Sequence, residues 1–139
     1  MEKISDVFRG LILAINAFPD LPEEVVDQGG IQIGETNGRA TSMSISGWIR
    51  DDETEEFVCS KKQYKFYIRI IFQKATQTNE EKLNCFDIME SLRDWIESNP
   101  SPILSIGNID TVEQPRMDSK NSNGLDIFSM AFVFNWSPQ

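Results

Sequence analysis

The sequence predicts an α+β domain in which two helices pack on one face of a largely antiparallel, four- to five-stranded sheet, in the order helix, hairpin, helix, hairpin. Two segments carry apolar residues at helical spacing, near the N-terminus and over 79–98. The segments between and after them alternate apolar and other residues with a period of two. Helices and strands present their side chains at just these two periods. No stretch reads as a linker, so residues 1–139 are expected to form one domain. A chain of this size buries roughly two-thirds of the surface its unfolded form exposes, enough to hold its own core.

In the first helix, Ile4, Val7, Phe8, Leu11, Ile12 and Ile15 fall on one face, and Pro19 and Pro22 end it. Its other face, with Asp6, Arg9 and Asn16, is not basic, which argues for a core helix over a membrane amphipath. Residues 28–40 read as a loop punctuated by Gly29, Gly30, Gly34 and Asn37-Gly38, with a short strand at Ile31 and Ile33. Over 41–50, Met43, Ile45, Gly47 and Ile49 face one way and Ser44, Ser46 and Trp48 the other. Asp51, Asp52, Glu53, Glu55 and Glu56 read as an acidic turn, followed by a long strand in which Tyr64, Phe66, Ile68, Ile70 and Phe72 share a face.

The second helix is expected from about Asn79 to Ser98. Thr78 and Glu81 stand at capping-box spacing, Cys85, Ile88, Met89, Leu92, Trp95 and Ile96 form a buried stripe, and Asn99-Pro100 ends the helix. The last hairpin is read as a strand over 103–113, with Leu104, Ile106, Ile109 and Val112, a mobile polar loop over 114–124, and a closing strand. In that strand Phe128, Met130, Phe132, Phe134 and Trp136 share one face, and Ser129, Ala131, Val133 and Asn135 the other.

The composition narrows the chemistry. The net charge is −9, from 22 acidic and 13 basic residues. Such a chain repels a nucleic-acid backbone and an anionic membrane surface. There is no histidine, hence neither the commonest general base nor the commonest metal ligand. Cys59, in a strand region, and Cys85, in a helix, are expected as free thiols in a reducing compartment. The N-terminal segment lacks a signal-peptide pattern and no apolar run approaches a membrane span, so a soluble cytosolic product is expected. The acidic run 51–56 lacks the spacing of a calcium loop, and Gly29-Gly30 with Gly34 lacks the Lys-Ser/Thr of a phosphate loop. Glu90, Asp94 and Glu97 fall off the apolar stripe and read as a solvated face. No catalytic residue, cofactor or metal site is therefore assigned.

Two features point to assembly. The sheet face away from the helices collects Trp48, Tyr67, Arg69, Ile71, Ala131 and Val133, with few Lys or Glu, and this is the composition of an interface core. Trp48, Tyr67, Arg69, Ile71 and Val133 are the candidate subunit-interface residues. Lys61, Lys62, Lys65 and Arg69, interleaved with Tyr64 and Tyr67, are expected to pair with acidic residues of a neighbouring subunit, in preference to stacking on single-stranded nucleic acid.

In layout the chain resembles the tail-terminator (tail-completion) and minor-capsid proteins of long-tailed phages and prophages. An amphipathic helix comes first, then a strand of the style Tyr64-Lys65-Phe66-Tyr67-Ile68-Arg69-Ile70-Ile71-Phe72. A polar gap leads to a helix like 84–96, and Gln114-Pro115 precedes a closing strand like Met130–Trp136. The resemblance covers roughly residues 4–136 and rests on layout and residue style. It implies a homo-oligomeric ring, usually a hexamer, that caps the tail tube and joins it to the head. The implied partners are the tail-tube protein and the head connector, the implied place is the virion after assembly in the host cytoplasm, and no membrane is involved. DNA would pass through an acidic channel without specific binding, and Asp51, Asp52, Glu53, Glu55 and Glu56 are the candidate channel-lining residues. The loops at 28–40 and 114–124 would dock the partners. The alternatives are a small ligand-binding or enzymatic α+β domain, marked by a pocket with convergent polar groups, and an acidic DNA-mimicking adaptor or inhibitor.

Overall fold

A computed structural model describes residues 4–34, 39–58, 61–98, 109–118 and 124–136, with side chains described outside 51–63 and Trp136. In chain order these residues form α1 (Ile4–Asn16), α2 (Glu23–Asp27), β1 (Gln32–Ile33), β2 (Thr41–Val58), β3 (Lys61–Lys74), α3 (Asn79–Ser98), β4 (Asp110–Asp118) and β5 (Asp126–Trp136). The fold is α+β, with a five-stranded sheet in the order β1-β2-β3-β5-β4.

β3 is the central strand because it is the segment whose two faces can both be used. Phe66, Ile68, Ile70 and Phe72 are buried on its helix side. β3 runs antiparallel to β2 from Thr41↔Lys74 to Ile49↔Phe66, and to β5 from Lys74↔Asp126 to Tyr64↔Trp136. Its core-side residues therefore line up with Met43 and Ile45 on β2 and with Phe128, Met130, Phe132 and Phe134 on β5, all buried. Phe66 stacks on Phe134 with centroids 5.1 Å apart, and Phe8 of α1 meets Phe66 edge-on at 5.9 Å. Each such buried aromatic or branched side chain contributes about 1.5–3 kcal/mol relative to leaving it in water.

The helices seal that layer. Val7, Leu11 and Ile15 of α1 and Cys85, Met89, Leu92 and Ile96 of α3 are buried. The Trp95 indole N–H donates to the Ala14 carbonyl at 2.8 Å, which ties α3 to α1. At the start of α3, Thr78 Oγ1 accepts from the Glu81 N–H at 3.1 Å, while the Glu81 carboxylate accepts from the Gln77 N–H at 3.1 Å. The box thus closes one residue earlier than the reciprocal pattern. Glu90, Asp94 and Glu97 lie exposed on the outer side of α3.

Four expectations need correction. A third helix, α2, lies between Pro22 and Gln28, started by a proline with extended backbone and by Glu23 and Glu24 in its first turn. Five residues are too few to show a period. The sheet is mixed, because β1 pairs parallel to β2 (Gln32↔Ser44, Ile33↔Ile45). The acidic run is strand: β2 continues to Val58, and the connection falls between Val58 and Lys61. Its ladder loses regular register there, since Ile49 pairs with Phe66 and Thr54 next with Tyr64, leaving residues 50–53 opposite Lys65 alone. Charge was the signal read as a turn, yet extended backbone accommodates it. Finally, β4 occupies 110–118, so the first part of the expected loop at 114–124 is strand. Leu104 and Ile106, Cys59 and the loop residues 119–123 lie outside the described residues.

Two glycines hold close approaches. Gly30 has φ +94°, and a Cβ there would collide with the Asn16 side chain, whose Oδ1 accepts from the Ile31 N–H at 3.0 Å. At Gly47 a Cβ would lie 2.7 Å from ring atoms of both Phe66 and Phe8. Gly47→Ala is expected to destabilise the protein by about 1–3 kcal/mol through overpacking, read as a lower urea midpoint with an unchanged m-value.

Candidate functional site

The strand alternation that buries one sheet face presents a second set of side chains on the other. Trp48 on β2 and Tyr67 on β3 are register partners. Their rings stack at 5.6 Å with an interplanar angle of 14°, as cross-strand aromatic pairs do. The Arg50 guanidinium lies 5.7 Å from the Tyr67 ring centre and that of Arg69 lies 6.0 Å from the Trp48 ring centre. The four groups form a block of alternating aromatic and cationic character.

Ala131 makes the next feature. Arg69 and Glu113 both register against Ala131 of β5, so the arginine spans β5 over its small side chain. It reaches the Glu113 carboxylate of β4 through two hydrogen bonds, at 2.7 and 3.2 Å. Arg116 adds a contact to the same carboxylate at 3.0 Å. The Arg69 hydrogen bonds hold the Glu113 carboxyl below its ordinary value. Trp48, Arg50, Tyr67, Val112, Glu113 and Ala131 enclose a groove of about 470 Å3. Trp48 is 38% and Val112 48% exposed on its opposite walls.

Of the candidate interface residues, Trp48, Tyr67 and Arg69 come together in this block, and Val133 is the register partner of Tyr67. Ile71 lies farther along, between Ser44 and Ser129. The expected pairing of Arg69 with a neighbouring subunit is corrected: its partner is Glu113 of the same chain, brought within reach by β5 inserting between β3 and β4. Arg50, Val112 and Glu113 were missed. Arg50 follows Trp48 by two residues, a signal obscured by placing a turn at 51, whereas the approach of Glu113 across β5 has no local signal. Among the described residues, the backbone of the candidate channel residues 51–56 lies on a two-stranded ribbon, because β5 is described only as far as Trp136, opposite Tyr64. Their side chains lie outside the described residues, as do those of Lys61 and Lys62 on the facing strand.

The same sheet face is closed at its other end. Ser42, Ser44, Gln73 and Ser129 are all buried there. The Gln73 amide donates to the Arg39 carbonyl at 2.7 Å, which ties the chain just before β2 to this end. Ser129 bonds to Asp118 at 3.1 Å, while the Ser42 and Ser44 hydroxyls find no partner among the described residues. Nearby, buried Asp126 bonds to Thr76 and pairs with Lys82 at 3.2 Å, linking the strand ends to α3. Burial pushes the Cys85 thiol above its ordinary value, which disfavours the reactive thiolate.

The geometry places aromatic faces, guanidinium groups and two exposed apolar residues around an open groove, the make-up of a protein-contact surface. Among the described residues, no three Cys, Asp or Glu side chains gather as a metal site. No helix among the described residues is long and apolar enough to cross a membrane. Neither a family model nor a curated protein matches this sequence.

Because the carboxyl of Glu113 is depressed in the folded state, its pairing stabilises fully above the ordinary value of 4.5 and is lost as pH falls through the lower, folded value. Glu113 is partly exposed, so the contribution is at most about 1 kcal/mol. Denaturation of wild type and Glu113→Gln is expected to differ by that much at pH 7 and to converge as the pH falls below the folded-state value of Glu113.

Proposed function

We propose that this chain is a structural assembly subunit, and specifically a component of a phage or prophage tail-terminator or minor-capsid ring that caps the tail tube and joins it to the head. The observation that carries the assembly reading is the open end of the second sheet face. There a stacked Trp48–Tyr67 pair, two stacked guanidinium groups and exposed Val112 surround a groove without a nucleophile–base pair. Residues of this kind supply binding energy when a partner surface displaces water from them.

The phage assignment rests on the layout of elements and on residue style. The long β2–β3 ribbon with its acidic strand agrees with a channel that lets DNA slide, since carboxylates repel phosphate. In this reading the chain is not an enzyme, needs no cofactor, contacts copies of itself, the tail-tube protein and the head connector, and resides in the virion. The alternative of a small-ligand or enzymatic domain draws on the same groove. It is the weaker reading, because the Arg69 and Glu113 groups that would hold a polar ligand already satisfy each other.

Light scattering on purified protein, with and without isolated tail tubes, tests the proposal. Self-association or tube binding is expected for wild type. Trp48→Glu and Val112→Glu should weaken it at least about tenfold, the loss expected on removing one central interface residue, with unchanged circular dichroism. A protein that stays monomeric at every concentration and ignores tail tubes would refute this reading.

A further inference from the structure

We propose that β4 is a releasable edge strand, held to the sheet by side-chain straps on both faces, with the Arg69–Glu113 pair as its principal latch. Three observations on the strand itself lead there. None of its nine residues is buried: each is exposed or half-buried, and the nearest core side chain is Ile109, just before its start. Its ladder with β5 is irregular. Nine residues, Asp110–Asp118, face the seven from Ile127 to Val133, with register breaks between Thr111 and Glu113 and between Glu113 and Arg116. One of the nine is Pro115, which has no N–H to give.

What holds such a strand is visible in its side chains. On the second face Arg69 grips Glu113 across β5, bonding at 2.7 and 3.2 Å. Towards α3, Thr111 donates to Glu97 at 2.7 Å, and Arg93 donates to Gln114 at 2.7 Å. At the far end Asp118 accepts from Ser129 at 3.1 Å. The contacts to β3 and α3 clamp β4 from outside its own ladder, and Ser129 adds a side-chain bond from its ladder partner β5. Strands with few buried apolar contacts open at a lower free energy than the core around them. β3 and β5 carry the buried aromatic layer and open only with the whole domain. Release of β4 bares the outer main-chain edge of β5 over Ile127–Val133, which β4 otherwise occupies, and removes one wall of the Trp48–Val112 groove.

Native-state hydrogen exchange at constant pH, read by peptide, tests the proposal. Amides over 110–118 should exchange through a sub-global opening, faster than those of Phe66–Phe72. Glu113→Gln, which keeps the shape and removes the charge, should speed the β4 amides about fivefold, the scale of a partly exposed ion pair, whereas Gly47→Ala, a change in the part that stays folded during that opening, should speed β3 and leave β4 unchanged. Thr111→Val, cutting a strap on the opposite face, should act in the same direction as Glu113→Gln and supplies the measurement if that variant misfolds. Equal protection of β4 and β3 in the wild type, or a Gly47→Ala variant that speeds β4 as much as β3, would overturn the proposal.

Discussion

β3 is hydrogen-bonded on both sides, and its register decides the contents of both faces of the sheet. From Phe66 to Phe72 every second side chain enters the core, and the partners on β2 and β5 follow the same count. A slip of one residue would send Phe66, Ile68, Ile70 and Phe72 to the open face and bring Tyr67, Arg69 and Ile71 against the helices. The buried guanidinium alone would make that arrangement untenable. The regular ladder with β5 and the stacked Phe66–Phe134 pair hold one register.

From that register follows a second sheet face with two unlike ends. At one end small serines and Gln73 are buried, with Gln73 bonded to the Arg39 carbonyl, and on the helix side of the same strand ends the Thr76–Asp126–Lys82 contacts reach α3. This end is rigidly satisfied apart from the two serine hydroxyls. At the other end the ladder between β2 and β3 becomes irregular, the sheet narrows to a ribbon, and Trp48 and Val112 stand exposed. The face reads as one uniform interface in sequence, yet the packing confines its open part to the Trp48 end.

The two outer parts of the sheet are managed differently. β1 protects β2 for two residues, while β4 lines the opposite edge with bulges, a proline and charges. Such features discourage unplanned strand addition. They also leave β4 weakly laddered, so its place depends on side chains from β3 and α3.

What could be read from residue order was whatever a local period encodes. The α1 stripe, the bounds of α3, the inward set of β3 and β5, and the company of Trp48, Tyr67 and Arg69 on one face all follow from spacings of two, three and four residues. Signals that name a residue type without a period misled: the carboxylates of 51–56 and the Pro115 region both resembled loops, and both are strand, because extended backbone tolerates charge and an edge tolerates proline. The parallel β1, the insertion of β5 between β3 and β4, and thus the Arg69–Glu113 latch over Ala131, were decided by tertiary structure alone. Residues 44 positions apart meet there through strand order, and strand order is settled by which pairing buries the most apolar surface across the whole domain.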